Sequence, residues 1–384
     1  VFQARATFPG PTLAAILGAC VGGGLEMSLA CHHRVASDSR TTQLGFPEVL
    51  LGILPAWGGT TRLSRSIGLR KALPLLLTGR RISSTEARRL GLLDRVLPAQ
   101  GFQEAVAARG RCLARGEKPP RRIGREESPN PSSGERRLRA GSPGFLPALI
   151  LASARRKILR RTGGHYPAPE AILDVLSRSW GRPIEESLKA EADALGQLIT
   201  SPVSKKLIRV FRLRQDARRR KDLPEGKVER TTFAAPLRTA QAEAARNLLQ
   251  RGVPKRALRQ EAWSFGFVKD PLSGKPLRGM GRARRESESE EPGHRLALPM
   301  VSRAAQILEE GGTPSAGLLD LSLVMEEAFP AFRGGLLHWA DEVGLESVTD
   351  GLDILASEVG PTFVPSPALR RLAKARTTFY ERYP

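Results

Sequence analysis

The sequence contains few cysteines: Cys20, Cys31 and Cys112 in 384 residues. A sparse, odd-numbered set of thiols excludes a disulfide framework, and the spacing of these three fits no metal site. Such usage is typical of a reducing compartment, so we expect a cytoplasmic location. Cys20 and Cys31 are surrounded by apolar and small residues, and we expect both to fill space in a core.

Aromatic and acidic residues are also scarce. Phe, Trp and Tyr make up 5% of the chain, and 39 Asp and Glu stand against 61 Lys and Arg, which gives a net charge of +22. Nucleic-acid surfaces interleave basic with aromatic side chains, and the sequence shows no such interleaving, so nucleic acid is not an expected partner. The positive charge either covers solvated helix faces or attracts a small anionic molecule.

The sequence also lacks an uninterrupted apolar run long enough to cross a membrane. The stretch Pro11–Cys31 comes nearest, but Gly22–Gly24 and Glu26 interrupt it. Three consecutive glycines and a carboxylate are unfavourable in the hydrocarbon region of a bilayer. We predict neither a membrane span nor a targeting segment.

That same stretch has the pattern of a strand, a glycine turn and a helix. Thr12–Leu17 is continuously apolar and predicts a short buried strand, and a helix follows Gly22–Gly24. Glycines remove the Cβ atoms that would block a ligand, and the first residues of a helix have unpaired N–H groups. Two carboxylates, Glu26 and Glu48, follow in the sequence. Backbone donors together with two acids can stabilise an oxyanion and move protons.

These residues resemble the enoyl-CoA hydratase (crotonase) family. The motifs are Ala-Ala-Ile-x-Gly-Ala-Cys-x-Gly-Gly-Gly-Leu-Glu in Ala14–Glu26, Pro-Glu-Val-x-Leu-Gly-Ile-x-Pro in Pro47–Pro55, and Gly-Gly-Thr-x-Arg-Leu in Gly58–Leu63. The similarity continues through Leu77–Ile82 and Ala87–Val96. The spacing of the two glutamates is similar to that in multifunctional fatty-acid oxidation alpha subunits.

The resemblance implies an α/β crotonase-like fold, a ββα spiral, for the N-terminal part. It also implies the addition of water to a trans-2-enoyl thioester of coenzyme A during fatty-acid β-oxidation. Glu26 would activate the water, Glu48 would exchange the proton at the α-carbon, and the Gly23 N–H would stabilise the oxyanion. The residues expected to bind the substrate are Gly22, Gly24, Pro55, Trp57 and Gly58. Alternatively, Glu26 caps the start of its own helix and Glu48 is a solvated turn residue.

The family's hydratase reaction needs no cofactor, and the implied partner is an acyl-CoA thioester. A thiolase-type beta subunit and a homo-oligomer are further expectations from the resemblance. It also places strands and a second oxyanion donor ahead of Val1, so we expect an N-terminally truncated chain. Two other functions stay open: an enoyl-CoA isomerase, and a non-catalytic acyl-CoA-binding or assembly protein.

Composition divides the chain into four parts. We expect a hydratase module at 1–115, a flexible basic linker at 116–145, linker helices at 146–222 and a helical domain at 232–384, with a disordered segment near 280–293. In the linker helices, the apolar spacing of Ile184–Ile199 predicts a helix with Glu185, Glu186, Glu191 and Asp193 on its polar faces.

The last part resembles the all-α C-terminal domain of 3-hydroxyacyl-CoA dehydrogenases. Glu243–Phe267 and Leu298–Gly335 share one plan: a helix ending at glycine, a short helix containing an acid, and an aromatic turn. The multifunctional relatives would bind NAD through a Gly-x-Gly-x-x-Gly loop starting near Lys227. No such loop occurs between Pro224 and Pro384, so NAD binding is not predicted for this chain.

Three local patterns complete the expectations. Ser83 and Glu86 have the spacing of a capping box at a helix start. Either Thr60 or Thr61 could cap the helix that follows the Gly-Gly pair. Asp94, between a helix end and a short strand, is expected to have a structural role.

Overall fold

The computed structural model describes residues 2–116, 145–219, 234–277, 280–283, 294–313 and 315–384. Almost all of the predicted linker, the position of the dinucleotide loop near Lys227, and most of the segment predicted to be disordered lie outside these ranges. The chain forms two compact units, residues 1–157 with 167–201 and residues 158–166 with 202–384. The four-part division remains a prediction.

Short strands in the first unit pair into two small sheets. In the first sheet the order is β1–β3–β6 and all neighbours are parallel, whereas in the second β2 pairs with β4 in parallel and β4 with β5 antiparallel. The strands β1 to β4 therefore alternate between the two sheets, whereas β4 and β5 are neighbours in the second sheet. The strands are β1 Leu13–Ile16, β2 Ala19–Val21, β3 His33–Ser37, β4 Gln43–Gly45, β5 Arg81–Ser83 and β6 Arg95–Leu97.

Helices surround these sheets and share one apolar core with them. Leu25, Phe46 and Leu76 belong to this core together with Ile172 and Leu198, so the two helices within residues 167–201 complete the packing of the first unit. The helices are α1 Phe2–Ala6, α2 Gly23–Leu29, α3 Gly59–Ile67, α4 Leu69–Thr78, α5 Ser84–Leu90, α6 Phe102–Ala114, α7 Phe145–Thr162, α8 Pro167–Ser179 and α9 Ile184–Ile199; α7 ends in the second unit.

The strand β1 forms as predicted, but it is not fully buried. Ile16 is buried, Ala15 is exposed, and Leu17 after the strand is 60% exposed. Among the described strands, β1 lies at the edge of its sheet and pairs only with β3. A continuous apolar run is compatible with a strand that is buried on both faces. Whether both faces are buried depends on the elements that pack against the strand.

The structure confirms the Ser83 half of the predicted capping box and corrects the prediction for another helix start. Ser83 Oγ accepts the Glu86 N–H at 3.2 Å, while the Glu86 carboxylate binds Arg80 at 2.8 Å, so Ser83 caps α5 and Glu86 makes an ion pair. At α3 the cap is Gly58, and Thr60 Oγ1 donates to the Pro55 carbonyl at 2.9 Å. The prediction of a threonine cap is wrong because carboxylates from other helices bind these N–H groups.

Two buried groups support the first sheet near β3. One Asp94 carboxylate oxygen accepts the Arg34 N–H at 2.6 Å, which agrees with a structural role. The buried Arg34 side chain donates to the carbonyls of Ser28, Cys31 and Leu92. Cys20 and Cys31 are both buried, as expected of small core residues.

The regular secondary structure in the described residues of the second unit is helical, apart from an isolated bridge between Lys269 and Pro276. Its apolar core packs the helix Ala234–Gln250 against the helix His294–Glu309, and the later helices pack around these two. The helical nature of this part is confirmed, and its likeness to a dehydrogenase domain stays a prediction. The helices are α10 Pro202–Arg219, α11 Ala234–Gln250, α12 Lys255–Phe265, α13 His294–Glu309, α14 Ala316–Met325, α15 Leu336–Val343, α16 Leu345–Glu358, α17 Pro367–Lys374 and α18 Phe379–Arg382.

The acid of the second repeat, Asp320, is a structural cap. Its fully buried carboxylate accepts the N–H groups of Leu337 and His338 at the start of α15, and the Tyr380 hydroxyl at 2.7 Å. A Cβ at Gly335 would collide with this carboxylate. Burial raises the pKa of Asp320 to about 6, against the hydrogen bonds that it accepts. These hydrogen-bond partners all belong to the second unit. Asp320 on α14 therefore has a structural role, because it binds the start of α15.

Candidate active site

The glycine turn before α2 brings backbone close to two side chains from elsewhere in the chain. Gly22 has φ 58°, and a Cβ placed on it would lie 2.5 Å from Glu48 Oε1. A Cβ on Gly23 would lie 2.8 Å from the Trp57 ring, whereas one on Gly24 would meet only Cys20 Sγ at 4.0 Å. Close approach therefore requires glycine at the first two positions. Gly23 is the first residue of α2, so helix geometry provides no acceptor for its N–H.

Glu26 lies in the first turn of α2 and is only 3% exposed. Its Oε1 accepts the Trp57 N–H at 2.7 Å and the Gly59 N–H at 2.8 Å. Glu26 therefore caps the start of α3, not of its own helix as the structural alternative supposed. Burial raises the pKa of Glu26, while the Gly59 and Trp57 hydrogen bonds and the charge of Arg62 lower it.

Glu48 lies on a 3-10 helix, Pro47–Leu51, beside the same glycine turn. Its Oε2 is buried and has no hydrogen-bond partner among the described residues, which contradicts the alternative of a solvated turn residue. Burial raises the pKa of Glu48 to about 7; its own backbone N–H opposes this shift, and the charge of Glu26 adds to it. The carboxyl group can thus carry a proton near neutral pH.

Of the three predicted site residues in the loop 55–59, Trp57 exposes the most side-chain surface. It is 57% exposed, and its ring stacks on Phe2 with centroids 5.5 Å apart. Pro55 and Gly58 shape the loop: Pro55 packs beside Gly59, and Gly58 has φ 101° with the Arg62 guanidinium against its Cα. The Trp57 indole therefore lies beside the Gly23 backbone.

A third carboxylate, which the sequence analysis placed on a polar face, is buried at this site. Glu191 of α9 is 0% exposed; its Oε2 accepts the Gly58 N–H at 2.8 Å and its Oε1 the Thr61 N–H at 2.7 Å. Burial raises the pKa of Glu191 to about 7, against the hydrogen bonds from Thr61 and Gly58 and with the charge of Glu26 adding to the shift.

A signal for Glu191 was present in the sequence. It lies one heptad after Ile184 and one before Leu198, which places it on the apolar stripe of α9. A glutamate at such a position needs buried N–H partners. The residues that provide them are more than a hundred positions earlier in the chain, so the sequence pattern alone could not identify them.

A separate cavity of about 230 Å³ lies in the second unit, beside α11. Two of its charged lining residues form ion pairs, Arg238 with Glu326 at 2.6 Å and Asp270 with Arg259 at 3.1 Å. The described residues contain no group of three or more His, Cys, Asp or Glu side chains arranged to hold a metal ion. None of the described helices is both long and apolar enough to span a bilayer.

Comparisons with known proteins find a family model that matches residues of the first unit. Residues 2–123 match the family model "Enoyl-CoA hydratase/isomerase". The fatty acid oxidation complex subunit alpha of Shewanella loihica is 38% identical over 211 residues, which are 55% of this chain and 28% of that protein. This chain thus spans less than a third of the length of that curated relative.

Solved structures show the same similarity in sequence. An enoyl-CoA hydratase from Rhodobacter sphaeroides is 26% identical over 56% of this chain and 64% of its own, with a TM-score of 0.40. One from Bacillus anthracis is 26% identical over 56% and 63%, with a TM-score of 0.28. The family match covers the glycine turn, Glu26 and Glu48, so residues 2–123 of this chain are similar to the enoyl-CoA hydratase/isomerase family.

Proposed function

We propose that this chain carries an enoyl-CoA hydratase site, which adds water in the syn sense to a trans-2-enoyl-CoA and yields a 3-hydroxyacyl-CoA. The observation that supports this most is the Glu48 carboxyl group. It has a buried oxygen without a partner among the described residues, and it lies against the glycine turn that begins α2. Glu26 lies on the first turn of the same helix.

The glycine turn would stabilise the charge that develops on the substrate. As water adds, negative charge builds on the thioester oxygen in an enolate-like transition state. A backbone donor placed at such an oxygen contributes about 3–4 kcal/mol. Gly23 is our candidate donor, because its N–H begins α2 and its missing Cβ leaves the backbone open to approach.

The two glutamates would divide the proton transfers. Ionised Glu26 takes a proton from water as the C3–O bond forms, and protonated Glu48 gives its proton to C2. Glu26 ends protonated and Glu48 ionised, so exchange with solvent restores the starting state. This arrangement needs a carboxyl group that still holds a proton near neutral pH, which the raised pKa of Glu48 provides.

The pH dependence follows from this division of roles. The reactive enzyme holds one proton on the glutamate pair, so the hydration rate should fall as pH rises through about 7 and Glu48 ionises. It should also fall in acid, when Glu26 becomes protonated. Because hydration consumes no net proton, the kcat/KM of dehydration must follow the same bell-shaped curve. A hydration kcat/KM that stays level between about pH 6 and 9 would contradict the donor role of Glu48.

The direct test is the absorbance of crotonyl-CoA during incubation with the 384-residue chain. We expect the conjugated-enoyl absorbance to fall, with 3-hydroxybutyryl-CoA as the product. Butyryl-CoA, which has no double bond, serves as the control and should not change. A folded sample that leaves crotonyl-CoA intact would refute the hydratase proposal and favour a non-catalytic acyl-CoA-binding protein, to be examined by calorimetric titration.

The isomerase alternative predicts a different product. A single base can move a proton between C2 and C4, whereas hydration uses one carboxylate for water and another for C2. The two glutamates flanking one glycine turn support hydration. Release of 3-enoyl-CoA instead of a hydroxy product would favour the isomerase.

We also infer a multifunctional alpha-subunit-like organisation. The helical second unit, with its two repeats, supports a likeness to a dehydrogenase C-terminal domain. We also infer that this chain does not supply dehydrogenase activity, because residues 224–384 contain no Gly-x-Gly-x-x-Gly loop to hold NAD. A thiolase-type beta subunit and a homo-oligomer are the proposed partners.

A further inference from the structure

We propose that Glu191 is a positioning residue of the hydratase site, whose carboxylate holds the segment 55–61 in the conformation that orients Glu26 and Trp57. The inference rests on the proposed function for its effect on turnover. Its structural basis is independent of that function. No hydratase motif in the sequence includes Glu191.

The N–H groups of this segment are shared between two carboxylates. Glu26 accepts from Trp57 and Gly59, and Glu191 accepts from Gly58 and Thr61. The donors bound by the two acids alternate along the chain from Trp57 to Gly59. A one-residue change in the register of this loop relative to the two carboxylates would therefore break hydrogen bonds to both acids at once.

Cationic side chains stabilise the buried charge of Glu191. Arg62 and Arg65 of α3 face it, and Arg65 also donates to Ser187 Oγ on α9 at 2.9 Å. Glu26 of α2 faces it with like charge. The apolar stripe of α9 could hold a leucine at this position. Glutamate fits because two N–H groups at the start of α3 would otherwise remain buried without acceptors.

The segment held in this way connects directly to the proposed chemistry. Arg62 Nη1 donates to the Trp57 carbonyl at 2.8 Å, and the Trp57 N–H donates to Glu26. The backbone of Trp57 is therefore held through both its C=O and its N–H. The Trp57 ring lies against Gly23, the proposed oxyanion donor. Release of Glu191 would move Trp57 and leave the Glu26 carboxylate with altered partners. Misplacement of about 1 Å at a reacting group can reduce a rate by about a hundredfold.

The substitution Glu191→Gln tests this role. Each carboxylate oxygen accepts one N–H, so a glutamine must direct its NH₂ at one of these donors and lose that bond. We expect kcat for crotonyl-CoA to fall about tenfold to a hundredfold, with KM changed by less than about threefold. Glu186→Gln, an exposed acid on the same helix, is the matched control and should keep full activity.

A second readout does not depend on catalysis. Trp57 is 57% exposed, whereas Trp180, Trp263 and Trp339 are at most 9% exposed, so acrylamide quenching reports mainly on Trp57. We expect quenching to change in Glu191→Gln and to match the parent in Glu186→Gln, with the difference absent in a Trp57→Phe background. If the parent shows no hydratase activity, the proposed function fails while the quenching result still tests the positioning role.

The variant Glu191→Asp separates positioning from folding. It keeps both oxygens on a shorter side chain, and we expect intermediate values of kcat and quenching. The proposal is overturned if Glu191→Gln folds with unchanged kcat and quenching. It is equally overturned if both variants lose the fold by circular dichroism, because Glu191 would then belong to the general scaffold.

Discussion

Replacing Glu48 by glutamine is expected to reduce crotonyl-CoA hydration by about 10²–10⁴-fold, the contribution that a positioned acid or base makes to a rate. Glutamine has nearly the same shape but cannot give a proton to C2. Oε2 of Glu48 accepts no hydrogen bond from the described residues, so the substitution removes no bond from that atom. The measurement is kcat from the loss of enoyl absorbance, with circular dichroism to verify the fold.

The control for this experiment is Glu104→Gln, an exposed acid on α6 of the same unit. It removes one negative charge but lies in none of the hydratase motifs, and should leave kcat unchanged. Turnover by Glu48→Gln equal to that of the parent would rule out Glu48 as the proton donor. The raised pKa of Glu48 would then be a consequence of burial and of the Glu26 charge, without a role in proton transfer.

The second large effect is expected for Glu26→Gln. A single oxygen, Oε1, accepts the N–H groups of both Trp57 and Gly59, so the glutamine carbonyl oxygen can keep both bonds. The loop should therefore stay in place while the proposed base for water is lost. We expect kcat to fall by about 10²–10⁴-fold, with KM and thermal midpoint close to those of the parent.

Glu26→Ala provides the comparison for that variant. It removes the proposed base and the cap together. The buried Gly59 N–H would then lack an acceptor, which costs about 1–3 kcal/mol, and the half-buried Trp57 N–H would lose its partner too. The alanine variant should therefore lose stability as well as activity, whereas the glutamine variant should lose activity alone. Equal destabilisation of both variants would show that the charge of Glu26, and not its hydrogen bonding, holds the loop.

The double variant Glu26→Gln with Glu48→Gln examines whether the two acids act as a unit. In a concerted addition, loss of either carboxylate disables the same step, so the double variant should be little slower than the slower single variant. Fully multiplicative losses would indicate two independent contributions.

Local patterns predicted much of the first unit, for reasons visible in single residues. Gly22 and Gly23 are required because side chains approach their Cα atoms, and a glycine pair between a strand and a helix indicates such an approach. Ser83 caps α5 because its hydroxyl reaches an N–H three residues away. The Ser83 cap joins residues that are close in the sequence. The contacts at Gly22 and Gly23 involve residues of motifs whose spacing is visible in the sequence.

Patterns failed where the partner came from a distant part of the chain. Thr60 and Thr61 have the residue types of a helix cap, but Glu26 and Glu191 accept the N–H groups at this helix start. An ionised carboxylate accepts a stronger hydrogen bond than a hydroxyl does, so once packing brings the acids there, the threonines lose this role. The edge position of β1 was missed for a similar reason, since burial depends on neighbouring strands.

By itself, the sequence determined the order of strand, glycine turn and helix, the two motif glutamates, the lack of a dinucleotide loop in 224–384 and the helical second unit. Each follows from residue type and short-range spacing. Only the tertiary structure decided that Glu26 caps α3, that an oxygen of Glu48 is buried, and that Glu191 completes the group. The physical reason is that a carboxylate's role depends on which donors and charges surround it after packing, and residues 26, 58 and 191 meet only in the folded chain.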